Sequence, residues 1–149
     1  MLNATSVTMV GRLVSDVETR VVPTGDKVAN FRMACQERRY DKELDLWQDG
    51  DRMYVDVACW RRLADGVGAS LSKGNQVVVI GRLKIDEYVT KEGAHRQRPQ
   101  IDARAVGPDL ALHTVHVSPP NWETSPDQLE LVSSPPEQPP QRAEEPQAA

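Results

Sequence analysis

The chain has 149 residues, enough for one domain and a tail, and its formal charge of −4 is unevenly spread. Residues 1–118 hold 17 Lys and Arg, 16 Asp and Glu and all nine glycines, whereas residues 119–149 hold one Arg, six acids and eight of the eleven prolines. Two cysteines are too few for a disulfide scaffold, and no apolar run approaches the roughly 18 residues of a membrane-spanning helix.

A Pro-rich acidic segment without periodicity cannot bury enough apolar surface to offset the entropy of ordering it. The sequence therefore predicts a folded domain over 1–118 and a disordered tail over 119–149. No basic-then-apolar signal opens the chain, so a cytoplasmic protein is expected. Cys35 and Cys59 are expected to be buried, reduced thiols, with an inter-strand or inter-subunit disulfide as the alternative.

The first predicted strand covers 3–13 and carries MVGRLVSD at 9–16, which is echoed by VIGRLKID at 79–86. Glycine inside a strand marks a bulge, a bend or a close backbone approach, so both strands are expected to curl at Gly11 and Gly81. Pro23 and Gly25 bracket a turn. VANFRMACQ, 28–36, alternates with Ala29, Phe31, Met33 and Cys35 on one side and Asn30, Arg32, Ala34 and Gln36 on the other. Residues 37–52 are charged and end in a turn signal at Asp49-Gly50. MYVDVACW, 53–60, alternates again, with Val55, Val57 and Cys59 opposite Tyr54, Asp56, Ala58 and Trp60. A helix is predicted over 61–74 from the four-residue spacing of Leu63, Val67 and Leu71, with Gly74 as its stop. A strand over 75–90, a hairpin tip at 91–96, a returning strand over 98–107 and a short apolar run, LALHTVHV at 110–117, complete the domain.

Three strands, a helix and two strands make the fold class all-β. Five antiparallel strands with the helix between the third and fourth follow the order of the OB-fold, a partly open Greek-key barrel. Glycine positions 11 and 81 would then be the barrel's corners.

No enzyme is expected. His95 lies at a hairpin tip, His113-x-x-His116 has no further ligand at metal spacing, and no phosphate-binding loop is present. Neither a metal nor a cofactor is predicted. The aromatic residues say more. Of seven rings only Phe31 alternates onto the core side, while Tyr40, Trp47, Tyr54, Trp60 and Tyr88 fall among charged residues. Arginines 38, 39, 52, 61, 62, 82, 96 and 98 are interleaved with them. Rings on which bases stack, mixed with cations that meet phosphates, are what a single-stranded nucleic-acid surface needs.

VTMVGRLVSDVETRVVPTGDKVANFRMA, ACWRRLADGVGASLSKGNQVVVIGRLKIDEY and KEGAHR also resemble, in order and register, the bacterial single-stranded DNA-binding protein family, over about residues 3–117. The resemblance implies an OB-fold, a homotetramer built as a dimer of dimers, and DNA binding without base specificity in replication, repair or recombination. It places the main stacking positions on Tyr40, Tyr54, Trp60 and Tyr88. Trp47 matches a hairpin aromatic of the actinobacterial branch, and Arg82 and Lys84 match positions beside the groove. The predicted DNA-binding set is completed by Arg38, Arg39, Arg62, Arg96 and Arg98. LALHTVHV sits where that branch adds a short subunit-clamping strand.

Two departures are apparent. The chain given ends in EEPQAA rather than an acidic tip closed by Pro-Phe, and two ring positions usually held by Trp or Phe are Tyr. An auxiliary paralogue is expected, without recruitment of replication enzymes through its C-terminus. The competing reading is an OB-fold adaptor of the replication or restart machinery that binds nucleic acid weakly.

Overall fold

The computed structural model describes residues 4–120, and the expectation of a disordered tail falls, from residue 121 on, outside the described residues. The chain divides into a unit of residues 1–115 and a second unit of 116–149. Among the described residues, the first unit contains every strand and the helix. These are β1 (Ser6–Leu13), β2 (Glu18–Val21), β3 (Lys27–Asp41), β4 (Leu46–Trp60), α1 (Arg62–Ser70), β5 (Gln76–Val89) and β6 (His95–Pro108). Among the described residues, no helix is long and apolar enough to cross a membrane.

The strands run in the order β1-β5-β6-β4-β3-β2, and β1 also pairs with β3 to close the barrel. Alternation decides what fills it. Leu13, Phe31, Met33, Val55, Val57, Cys59, Val77, Val79 and Ile101 are buried inside, joined by Ala64, Val67 and Leu71 from α1 and the residue after it. The predicted inward and outward rows of 28–36 and 53–60 are therefore the observed ones, although Val28 and small Ala58 on the outer row are also covered.

Both GRL segments lie where the barrel bends. β1 stays paired with β5 as far as Arg12↔Gln76 and on its other edge pairs with β3 at Arg12↔Ala34 and Leu13↔Met33. A Cβ on Gly11 would sit 2.6 Å from Met33 Cγ and 2.7 Å from the Ala34 carbonyl oxygen. At Gly81 the β5–β6 register shifts, and a Cβ there would strike the Asp102 carbonyl oxygen and lie 2.8 Å from Ala103 Cα. Only a residue without a side chain permits either approach.

The structure corrects the sequence reading in five places. β2 is an additional strand, paired with β3 from Glu18↔Asn30 to Val21↔Lys27. The barrel is not wholly antiparallel, because β4 and β6 run parallel at Asp56↔Gln100, Val57↔Ile101 and Ala58↔Asp102. Strands β3 and β4 continue through the charged segment as a long hairpin arm whose turn is at 42–45, not at Asp49-Gly50. Asp41 Oδ1 accepts the Glu43 and Leu44 N–H groups (2.9 and 3.2 Å), and Asp45 takes a left-handed φ of 52°. The ladder instead shifts between Gln36↔Arg52 and Arg38↔Asp49, setting two β4 residues, Gly50 and Asp51, against Glu37 alone.

The fourth correction concerns α1. It ends at Ser70, with Leu71 already extended, so the Leu63–Val67–Leu71 stripe outlasts the helix. Gly74 belongs to the turn before β5, where its N–H donates to the Leu13 carbonyl (2.8 Å). Finally, LALHTVHV forms no strand. Leu112 and His113 turn back on the Asp109 carbonyl, and His113 Nε2 accepts the Gln76 N–H at 2.8 Å.

Neither cysteine is in a disulfide. Cys59 is buried in the core, and that burial pushes its thiol up to about 12. Cys35 is only partly buried, and the same cause raises its thiol too. A thiol reagent at pH 8 is therefore expected to label Cys35 slowly in the native protein and Cys59 only after unfolding. Fast native labelling of two thiols would contradict the core assignment.

Opposite outcomes are expected from adding the same methyl group at two glycines. Gly81→Ala must displace backbone and is expected to lower unfolding free energy by about 1–3 kcal/mol. Gly66→Ala, in α1 with nothing within 4 Å of the new Cβ, is expected to raise it by up to about 1 kcal/mol. Urea unfolding of the two variants measures both.

Candidate nucleic-acid interface

The pleat that buries the core sends the alternate row of β3, β4, β5 and β6 outward. Cross-strand partners share a face, so the ladders define it. On β3–β4 the outward pairs are Arg32↔Asp56, Ala34↔Tyr54 and Gln36↔Arg52. On β5–β6 they are Arg82↔Asp102, Lys84↔Gln100, Asp86↔Arg98 and Tyr88↔Arg96. The parallel pairing of Asp56 with Gln100 and Ala58 with Asp102 joins the two ladders into one surface.

Trp60 ends the β4 row, opposite Val28. The β3–β4 arm extends the row the other way, through Arg38↔Asp49 and Tyr40↔Trp47. Tyr40, Trp47, Tyr54, Trp60 and Tyr88 are each between 42% and 59% exposed, against 3% for Phe31. This exposure matters because each ring buries part of its body while leaving a flank for a planar partner. Tyr40 and Trp47 meet edge to face with centroids 5.5 Å apart, and the Tyr40 hydroxyl donates to the Asp45 carboxylate.

Guanidinium groups lie over two rings, Arg32 at 5.2 Å from the Tyr54 centroid and Arg98 at 5.5 Å from the Tyr88 centroid. Such placement uses the negative face of the ring to hold a cation. A groove of about 600 Å³ runs beside these residues, lined by Asn30, Arg32, Asp56, Asp86, Arg98 and Gln100 on the barrel and by β2 at its rim. A second groove of about 570 Å³ is lined by Arg38, Arg52 and Tyr54 among others.

The structure brings together ten of the twelve residues predicted from sequence: Arg38, Tyr40, Trp47, Tyr54, Trp60, Arg82, Lys84, Tyr88, Arg96 and Arg98. The remaining two lie elsewhere. Arg39 points to the reverse side of the hairpin arm, where it pairs with Glu37 at 3.3 Å. Arg62 opens α1, off the strands that carry the face.

The sequence reading left Arg32 out of the site, although its alternation with Asn30 already put it on the outward row. It also gave no role to three acids. Asp102 Oδ2 receives Arg82 at 3.0 Å and Lys84 as well. Asp56 Oδ2, itself buried, takes Arg98 Nε at 2.8 Å as an ion pair rather than an aligned hydrogen bond. Asp86 holds the other side of Arg98 at 3.4 Å. Partial burial pushes the Asp102 carboxyl up, but hydrogen bonds and charge from Lys84 and Arg82 outweigh that and hold it below the usual carboxylate range.

A face of this composition can stack planar bases and meet phosphates, and it contains no nucleophile–base pair. Among the described residues, no three His, Cys, Asp or Glu side chains gather as metal ligands.

Comparison with known proteins agrees with this geometry. The model of the Single-strand binding protein family matches residues 4–109. A single-stranded DNA-binding protein of Corynebacterium glutamicum is 43% identical over 108 residues, which cover 72% of this chain and 48% of that protein. The match thus spans about half the length of that relative. Two solved structures are also similar. The small single-stranded DNA-binding protein from Streptomyces coelicolor has a TM-score of 0.68 and 35% identity, over 74% of this chain and 98% of its own. The second single-stranded DNA-binding protein from Mycobacterium smegmatis has a TM-score of 0.59 and 32% identity, over 78% and 99%. The chain belongs to the single-strand binding protein family, as a paralogue of its actinobacterial branch.

Proposed function

We propose that this protein binds single-stranded DNA without catalysis and without reading its sequence, by stacking bases on Tyr40, Trp47, Tyr54, Trp60 and Tyr88 and meeting phosphates with the arginines and Lys84 around them. The observation that carries this reading is the shared outward row: every described ring except Phe31 lies on it, half exposed and interleaved with cations. Stacking is sequence-tolerant because every base has a π-face. Such a partner places the protein in the cytoplasm with the nucleoid, in replication, repair or recombination. The smaller Tyr rings at two stacking positions and the likeness to a second-copy protein support an auxiliary part in those processes.

The working unit is proposed to be a homotetramer. Its support is the outward row of β1 and β5 away from the rings, where Val10 is 46% exposed beside Val78 and Thr8 lies beside Ile80. Residues 1–118 are proposed as the binding domain and 119–149 as an acidic tail. Like charge near a DNA surface competes with phosphate. Truncation at Ser118 is therefore expected to leave the tetramer intact in sedimentation and the affinity for oligo-dT equal or slightly raised; loss of either would place the boundary elsewhere.

The adaptor reading keeps one supporting observation, the three acids that neutralise cations of the face. Tryptophan fluorescence during oligo-dT titration separates the two. Trp60→Ala is expected to weaken binding by about 1–3 kcal/mol, and Tyr54→Ala by less, with thermal midpoints near that of the parent. Each single-strand phosphate contacted adds about −0.7 to the slope of log K against log salt. A flat slope with no loss in Trp60→Ala would favour the adaptor.

A further inference from the structure

Three cations of the ring-bearing face, Arg82, Lys84 and Arg98, are already engaged in ion pairs. Arg82 and Lys84, two residues apart on β5, converge on one oxygen of Asp102 across the β5–β6 ladder. Arg98 on β6 is held between Asp56 of β4 and Asp86 of β5 while its guanidinium covers Tyr88. Asp102 and Asp56 are the less exposed members of these pairs, with side chains 22% and 25% exposed, and the parallel β4–β6 contact sets both on the strands at the centre of the face. Ion pairs with one partner this enclosed are screened less than those in open solvent.

From this arrangement we infer that Asp102, Asp56 and Asp86 limit the affinity of the face by holding three of its cations in internal ion pairs, which a DNA phosphate must displace before it can bind. The inference rests on the reading that this face takes single-stranded DNA. For each pair the exchange breaks a protein ion pair, forms a phosphate ion pair and leaves a carboxylate facing the strand. Counterion release is reduced accordingly, because an arginine already neutralised by aspartate exchanges one anion for another. Arg98 adds a second consequence. While Asp56 and Asp86 hold it over Tyr88, one face of that ring is occupied, so a base stacking there must either displace the guanidinium or use the opposite face.

The three acids therefore act as positioning residues that set how tightly and how salt-dependently the face binds. This explains how a ring-rich face can coexist with a body of nearly zero net charge.

The test is titration of the full chain with oligo-dT at several salt concentrations, read by tryptophan fluorescence, for the parent and for Asp102→Asn, Asp56→Asn and Asp86→Asn. Asp86 is 46% exposed, so its variant is the one least able to disturb folding. Asp109→Asn, which removes a charge at the end of β6 away from the rings, is the control. Each of the three variants is expected to bind about two- to fivefold tighter at low salt. The log–log salt slope should steepen by about 0.7 for each cation that newly meets phosphate. The control should match the parent, and thermal midpoints show that the fold is kept. If the parent binds and the three variants bind no tighter, or bind tighter with an unchanged slope, the inference is wrong while the DNA-binding reading stands. If no chain binds oligo-dT, both are wrong.

Discussion

β1 can pair with β5 along its length and at its end also pair with β3 on the other edge only because nothing projects from Gly11 toward Met33 and Ala34. The rest of the molecule depends on that closure. With the barrel shut, β1, β3, β4, β5 and β6 each turn one row inward along the barrel and the other outward, so parity places most of their residues there. Gly81 does the equivalent at the β5–β6 bulge, letting the Asp102 backbone press against β5. The same approach that bends the barrel thus sets Asp102 beside Arg82 and Lys84, so a packing constraint and an electrostatic feature of the outer face share one origin.

Closure also explains the economy of the core. A chain with one phenylalanine fills its barrel with Val, Ile, Leu, Met and Cys, and leaves every described Tyr and Trp outside. Aromatic residues are usually large contributors to burial, so a barrel that places them outside forgoes that stabilisation. Such an arrangement makes physical sense when the rings gain their burial from a partner. Residues 53–60 show this compactly, because one strand supplies Val55, Val57 and Cys59 to the interior and Tyr54, Asp56 and Trp60 to the surface.

Much of this was legible in the sequence wherever parity was the governing variable. The alternation of 28–36 and 53–60, the stripe of Leu63 and Val67, and the outward rings could all be read without coordinates. What escaped were features set by pairing rather than by local pattern. Asp49-Gly50 has the composition of a turn, but the β3–β4 ladder continues past it and absorbs the extra residue as a bulge. β2 has only four residues, all exposed, and owes its form to the edge of β3, so no burial periodicity could announce it. The parallel β4–β6 contact joins residues more than forty positions apart, and the roles of Asp56 and Asp102 follow from that contact. Arg39 and Arg62 lie off the ring-bearing row for a related reason: nearness in sequence to rings does not place a side chain on their face.

The balance of forces on the face follows from these placements. Stacking on a half-exposed ring depends little on salt, whereas phosphate contact depends on cations that are free to exchange their counterions. Here Arg82, Lys84 and Arg98 are committed to aspartates, while the rings remain open on at least one flank. On the proposed reading, the electrostatic share of affinity would thereby be reduced relative to the stacking share. Stacking is also the interaction that distinguishes a single strand from a duplex, since bases already stacked on each other have no face to offer. On the proposed reading, a surface built this way would select unpaired strands through its rings, and its acids would restrain the non-selective attraction to phosphate that would otherwise draw any polyanion onto it.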